Sequence, residues 1–181
     1  KRHHAWLHVD GAYGRWARVL REKAHLTKGL ELADSWAGDG HKWLQVPYDS
    51  GLAFARHAEA HRRAMDVTAG YLSVAPEDGR NPTQYGPELS RRARGCAGGA
   101  VLKALGREGV ANLVRGHCTG AQRLANRLSG VPGIDVVNRV CLNQIALRFT
   151  DRGGDSDALT QAMEEQINAA EHFVRTAQWN G

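Results

Sequence analysis

The sequence predicts an α/β fold, and three observations carry that prediction. Short apolar runs alternate with polar, helix-compatible connections through residues 5–56. Residues suited to chemistry fall where those runs end, which is where ligands sit in open, mostly parallel sheets. After Val131-Pro-Gly133 the order changes to strand, strand, helix, strand, as in a small α+β domain.

Taken in order, Ala5–Val9 reads as a buried strand and Asp10–Gly14 as the loop at its carboxyl end. Arg15–Lys28 is a polar connection, helical or irregular. Leu30–Trp36 leads through a second strand into the glycine-rich turn Gly38-Asp-Gly40. Gly51–Arg56 is a third strand after the turn Pro47-Tyr-Asp-Ser-Gly51. Residues 65–87 are rich in Gly, Pro and polar side chains. A loop of that length inside a compact domain is functional or disordered. Leu89–Leu105 and Val110–Leu128 read as two helices joined by Gly106-Arg-Glu-Gly109. A domain boundary falls near Val131-Pro-Gly133, giving domains 1–130 and 131–181. Strands over Ile134–Val137 and Asn143–Phe149, a helix over Ser156–Ala169 and a strand over His172–Trp179 complete the chain.

The composition is that of a globular protein: 181 residues, 42% hydrophobic and 24% charged. The net charge of +5 is spread along the chain, apart from Arg91, Arg92 and Arg94, and no nucleic-acid motif accompanies it. A moderately basic enzyme surface is therefore expected, with no nucleic-acid partner. The arginine cluster could also face an anion. Three cysteines, Cys96, Cys118 and Cys141, show no metal-like spacing and read as buried free thiols of a reducing cytoplasm. No apolar run reaches the roughly 20 residues that span a bilayer, so no membrane partner is expected. The opening Lys1-Arg-His-His without Met and the close at Gly181 read as those of an internal piece of a longer protein.

Two fragments carry the chemistry. In Asp34-Ser-Trp-Ala-Gly-Asp-Gly-His-Lys-Trp-Leu-Gln-Val-Pro47, Lys42 stands between a small-residue turn and an apolar run. A lysine held there is expected to be partly desolvated, with a lowered pKa that makes its amine a nucleophile toward an aldehyde. In Trp6-Leu-His-Val-Asp-Gly-Ala-Tyr13, a strand delivers Asp10 at its end. A Schiff-base lysine and a carboxylate for a pyridinium nitrogen are the pair that pyridoxal phosphate chemistry requires. Metal readings are weaker. Neither His8-x-Asp10 with His41, nor His57 with His61 at i, i+4, brings a third ligand at a fixed spacing, so no metal is expected.

Together the fragments, HVD-G-A-Y followed by ADSW-x-x-D-G-HKWL-x-VP-x-D-x-G, resemble the group II pyridoxal-phosphate-dependent amino-acid decarboxylases. The resemblance runs the length of the chain, and HKW is its most specific part. It implies a fold-type I, transferase-like large domain, represented by its C-terminal part in residues 1–130, with a mobile catalytic loop at about 65–87. Residues 131–181 would begin the small C-terminal domain. It implies pyridoxal 5'-phosphate as cofactor, an amino-acid substrate, a cytoplasmic homodimer, and decarboxylation to an amine and CO2. Lys42 would hold the cofactor and Asp10 its ring nitrogen. Ala12 would pack on the ring face, and His41 would lie near the phosphate and the lysine. Tyr71, on the loop, would return a proton to the substrate carbon after CO2 leaves. Gly11 stands where the family usually has Ala, a departure that leaves the site open. Asp39 stands where many relatives place a phosphate-binding Asn, so it is not expected to bind phosphate. His8 reads as a buried strand histidine. The rival readings are another fold-type I enzyme, such as a carbon–carbon lyase or aminotransferase, and a non-catalytic truncated fragment.

Overall fold

The computed structural model describes residues 3–67, 79, 81–151 and 153–178. The chain divides into two compact units, Lys1–Ala111 and Asn112–Gly181. The architecture is mixed α/β with small sheets.

In the first unit, strands β1 (His8–Asp10), β2 (Ser35–Asp39) and β3 (Gly51–Ala55) form a sheet in the order β1-β2-β3. β1 runs parallel to β2, with Asp10 opposite Ala37, and β2 runs antiparallel to β3, with Trp36 opposite Phe54. The expected mostly parallel sheet is thus corrected to a mixed one among the described residues. The cause is connection length. The 3-10 turns Gly14–Val19, Arg21–Thr27 and Leu30–Leu32 make the long crossover that a parallel pair needs. The β2–β3 link holds only the short helix α1 (Gly40–Trp43), so the chain turns straight back.

β1 is also shorter and more exposed than its apolar sequence predicts, because it pairs on one edge only. His8 and Asp10 are exposed, which corrects the expectation of a buried strand and a buried His8. The core of this unit instead collects Trp16, Ala17, Leu20, Ala33, Trp43, Leu44 and Val46. Trp43 and Leu20 are wholly buried, each excluding a large apolar surface from water. Two close approaches make the sheet possible. The Gly11 N–H donates to the Ala37 carbonyl at 3.1 Å, and a Cβ on Gly11 would lie 2.6 Å from that oxygen. A Cβ on Gly38 would lie 2.4 Å from the Cδ of Arg15, so the missing side chain makes room for that arginine.

Helix α2 (Ala58–Met65) follows β3, and Asn81 caps the turn Pro82–Tyr85 by accepting from the Thr83 N–H at 3.1 Å. Helix α3 spans Arg94–Leu128 and is broken at Gly106, where φ is 62° and ψ is −173°. The glycine turn read from the sequence therefore survives as a kink, since this backbone geometry favours glycine. Along α3 the buried residues Val110, Val114, Cys118, Ala121 and Ala125 recur every three or four positions, the spacing of one helix face.

In the second unit, β4 (Ile134–Val136) and β5 (Leu147–Phe149) pair antiparallel, with Ile134 opposite Phe149. Helix α4 (Ser156–Ala169) matches the sequence reading. Asp155 caps it by accepting from the N–H groups of Asp157 and Ala158 at 2.9 and 3.2 Å. The strand expected from His172 does not form in residues 172–178. Side chains of α4 satisfy that backbone instead. Asn168 pairs with Val174 through both its amide atoms, and Glu164 accepts from the Thr176 N–H at 2.9 Å. No disulfide joins the three cysteines, and of the buried thiols expected only Cys118 is buried, while Cys141 is half-buried and Cys96 exposed.

Candidate active site

Lys42 sits on α1, a single helical turn between β2 and β3. The turn is pinned at both ends. The Gly40 N–H donates to the Ser50 carbonyl at 2.8 Å, and the apolar residues that follow the lysine, Trp43, Leu44 and Val46, are buried. Lys42 is thereby left pointing outward from an anchored turn, with 31% of its side chain exposed.

The expectation of a desolvated amine with a lowered pKa is overturned. The Lys42 Nζ lies 2.7 Å from a carboxylate oxygen of Asp39, and that hydrogen bond holds the amine above the usual lysine range. Desolvation opposes the shift, and Asp10 and Tyr13 add smaller contributions in the same direction as Asp39. The ammonium also stands 4.4 Å from the centre of the Tyr13 ring, within cation–π range. Asp39 does not cap α1, although it precedes the helix; its carboxylate turns to the lysine three residues on.

His41 approaches the same carboxylate oxygen of Asp39 as Lys42, with Nε2 3.6 Å from it. The Ser50 N–H donates to His41 Nδ1 at 3.0 Å. The Ser50 carbonyl oxygen lies 3.2 Å from the same nitrogen, so Ser50 brackets Nδ1 with both of its main-chain polar groups, and the ring's tautomer decides which of them it pairs with. The Tyr48 ring packs against the imidazole at 4.5 Å between centres.

Asp10 ends β1 on the same sheet, one strand away from the Asp39 strand. Its Oδ1 accepts from the Ala12 N–H at 3.0 Å, closing a tight turn that leaves the other oxygen unengaged by that bond. Asp10 is exposed where a buried carboxylate was expected, for the same reason that β1 is an edge. Ala12 is half-buried beside it. The structure thus gathers Asp10, Ala12, His41 and Lys42, with Tyr13 and Asp39 among them. Tyr71 lies outside the described residues.

Sequence reasoning missed Asp39 as the partner of Lys42, although their i, i+3 spacing on a helical turn is a readable signal. It also missed Arg15, whose guanidinium stands 4.4 Å from the Trp16 ring, 4.8 Å from Trp36 and 5.0 Å from Phe54. Burial holds Arg15 below the usual arginine range. Its charge bears on Asp39, and the Trp16 indole N–H donates to the Asp39 carbonyl at 3.1 Å. Among the described residues no three His, Cys, Asp or Glu side chains gather as a metal site, and no helix is long and apolar enough to cross a membrane.

A reachable amine and a carboxylate at one end of a sheet fit a cofactor that offers an aldehyde and a protonatable ring nitrogen. Comparison with known proteins points the same way. The family described as "Pyridoxal-dependent decarboxylase conserved domain" matches residues 1–150. The chain is 29% identical over 168 residues to an aromatic-L-amino-acid decarboxylase of Sus scrofa, covering 91% of this chain and 34% of that protein. It is 32% identical to a 3,4-dihydroxyphenylacetaldehyde synthase of Aedes aegypti, covering 97% of this chain and 34% of the relative. The chain therefore spans about a third of the length of these relatives. Among solved structures, an Oryza sativa TDC with PLP and tryptamine superposes with a TM-score of 0.88 at 22% identity, over 99% of this chain and 39% of that one. Mouse CSAD in apo form gives 0.78 at 18% identity, over 92% and 37%. At these identities the structural likeness shows the fold.

Proposed function

The chain belongs to the pyridoxal-dependent decarboxylase family, and from that premise we propose that it carries the lysine-bearing part of the site of an enzyme that decarboxylates an L-amino acid to an amine and CO2. The cofactor is pyridoxal 5'-phosphate. Residues 1–130 are read as the C-terminal part of a fold-type I large domain with a catalytic loop at about 65–87, and residues 131–181 as the start of a small C-terminal domain. The protein is read as a cytoplasmic homodimer that engages neither nucleic acid nor membrane.

When bound, the cofactor supplies an electron sink for the pair left at the substrate carbon as CO2 departs. The chain's own residues do the rest. Lys42 would hold the cofactor through its aldehyde. Asp10 would pair with the ring nitrogen, and Ala12 would offer a side chain small enough to lie against the ring. His41 would lie near the cofactor phosphate and the lysine. Tyr71 would be the acid that returns a proton to the substrate carbon.

The observation that carries this reading is the presentation of Lys42. Its side chain is partly exposed on an anchored turn that follows β2, the strand beside the one that ends in Asp10. The test is borohydride reduction of the protein mixed with pyridoxal 5'-phosphate, followed by digestion and peptide mapping. A pyridoxyl group on Lys42 is the expected result, and label elsewhere or none in the folded protein overturns it. The names of the similar curated relatives favour an aromatic amino acid as the first substrate to assay. A second reading is aldehyde formation, favoured by the likeness to the Aedes aegypti synthase. Product analysis separates it from amine formation.

A further inference from the structure

We propose that Asp49, clamped by Arg92 and Arg94, is a positioning residue that fixes His41 beside the Lys42–Asp39 pair, an inference that rests on the decarboxylase reading of that site. Asp49 is distant in sequence from both arginines yet receives both. One Arg92 terminal nitrogen lies 2.6 Å from its Oδ1, and the Arg94 Nε lies 3.1 Å from its carboxylate. Arg92 also donates to the main-chain carbonyls of Tyr48 and Asp49 at 3.2 and 3.3 Å. A single guanidinium thus holds side chain and backbone of the same short turn. Arg94 is held in turn by Glu88 at 2.9 Å.

The residues on either side of Asp49 are the ones that fix His41. Tyr48 packs its ring on the imidazole, and the Ser50 N–H binds Nδ1. The Ser50 carbonyl accepts from Gly40, the first residue of the lysine turn. A shift at Asp49 therefore reaches His41 by two routes and α1 by a third. The location also suits the charges. Arg94 opens α3, where a cation faces the positive end of the helix dipole, and the Asp49 and Glu88 carboxylates offset that cost. Asp49's own backbone N–H, then Arg92 and Arg94, hold its carboxyl below the usual carboxylate range. The arginine cluster thereby acquires a role other than binding an external anion.

The test is a double-mutant cycle on the protein loaded with pyridoxal 5'-phosphate. Asp49→Asn is expected to lower kcat by about tenfold, less than the roughly hundredfold that a 1 Å misplacement can cost, with KM and thermal midpoint close to the parent values. In a His41→Asn background the same substitution is expected to add no further loss, and Asp49→Glu is expected to restore most of the activity. Equal losses in both backgrounds, or none in either, overturn the proposal. Arg94→Gln, which leaves Arg92 in place, gives the same readout if Asp49→Asn does not fold. Borohydride labelling runs alongside. A folded parent protein with no label on Lys42 refutes the decarboxylase reading itself, whereas label with an additive cycle refutes only the role of Asp49.

Discussion

The Lys42 ammonium is paired with the carboxylate of Asp39, three residues before it on the same turn, at 2.7 Å. The residue proposed to act as an amine nucleophile is therefore held in its charged form until that contact is broken. A lysine whose pKa is raised on folding stabilises the fold fully below the ordinary lysine range. That contribution is lost as pH rises through the raised value.

Asp39→Asn removes the charge that retains the proton. The amine then becomes neutral at lower pH, and the profile for reaction with pyridoxal 5'-phosphate is expected to move to lower pH than in the parent protein. Stopped-flow absorbance across a pH series checks this. A profile unmoved or displaced to higher pH would show that Asp39 does not govern the amine.

Asp10→Asn isolates charge from shape. An asparagine Oδ1 can still accept from the Ala12 N–H, so the turn at the end of β1 is retained. A hydrogen bond to a charged group contributes about 1.5–3 kcal/mol, so decarboxylation is expected to fall by roughly tenfold to hundredfold. The denaturation midpoint should stay unchanged. Parental activity in the variant would remove Asp10 from the site.

How much of this was legible in the sequence depended on range. HKW with its apolar continuation marked a held lysine, because burial of Trp43, Leu44 and Val46 follows from their side chains alone. The third strand and α4 were legible for the same local reasons, the latter with Asp155 as its cap. The protonation of Lys42 was not, since it depends on where the Asp39 side chain turns, and a residue preceding a helix has the alternative of capping it. Direction of strand pairing was misread because it is set by the length of the link through α1. The joining of Asp49 to Arg92 and Arg94 spans more than forty positions, and no local pattern announces it.

Gly11 is the site at which sequence and structure give different weight to one residue. Its replacement of alanine looked inconsequential from the motif. In the fold, a Cβ there would stand 2.6 Å from the Ala37 carbonyl and 3.1 Å from the Arg15 Cβ. The first neighbour is backbone and already bonded to the Gly11 N–H, so it cannot move away cheaply. Gly11→Ala is expected to destabilise by about 1–3 kcal/mol, as overpacking does. A urea midpoint equal to that of the parent protein would show that β1 and β2 separate without cost.

Arg15 gives the last expectation. Its guanidinium is packed among Trp16, Trp36 and Phe54, and its Nη1 is buried with no hydrogen-bond partner. Two effects oppose each other. The rings attract the cation, by about 0.5–2 kcal/mol each way such contacts are measured. The buried unpaired donor costs about 1–3 kcal/mol or more when charged. Methionine keeps an unbranched stem in the same space, meets the aromatic rings favourably, and removes the charge. Arg15→Met is therefore expected to leave stability within about 1 kcal/mol of the parent, on the stabilising side, as replacement of buried charges by apolar groups often does. Arg15→Ala should instead lose about 2 kcal/mol or more, because it empties the space that Gly38 leaves for the side chain. If methionine proves as damaging as alanine in urea unfolding, the charge itself supports the fold, through the rings or through Asp39.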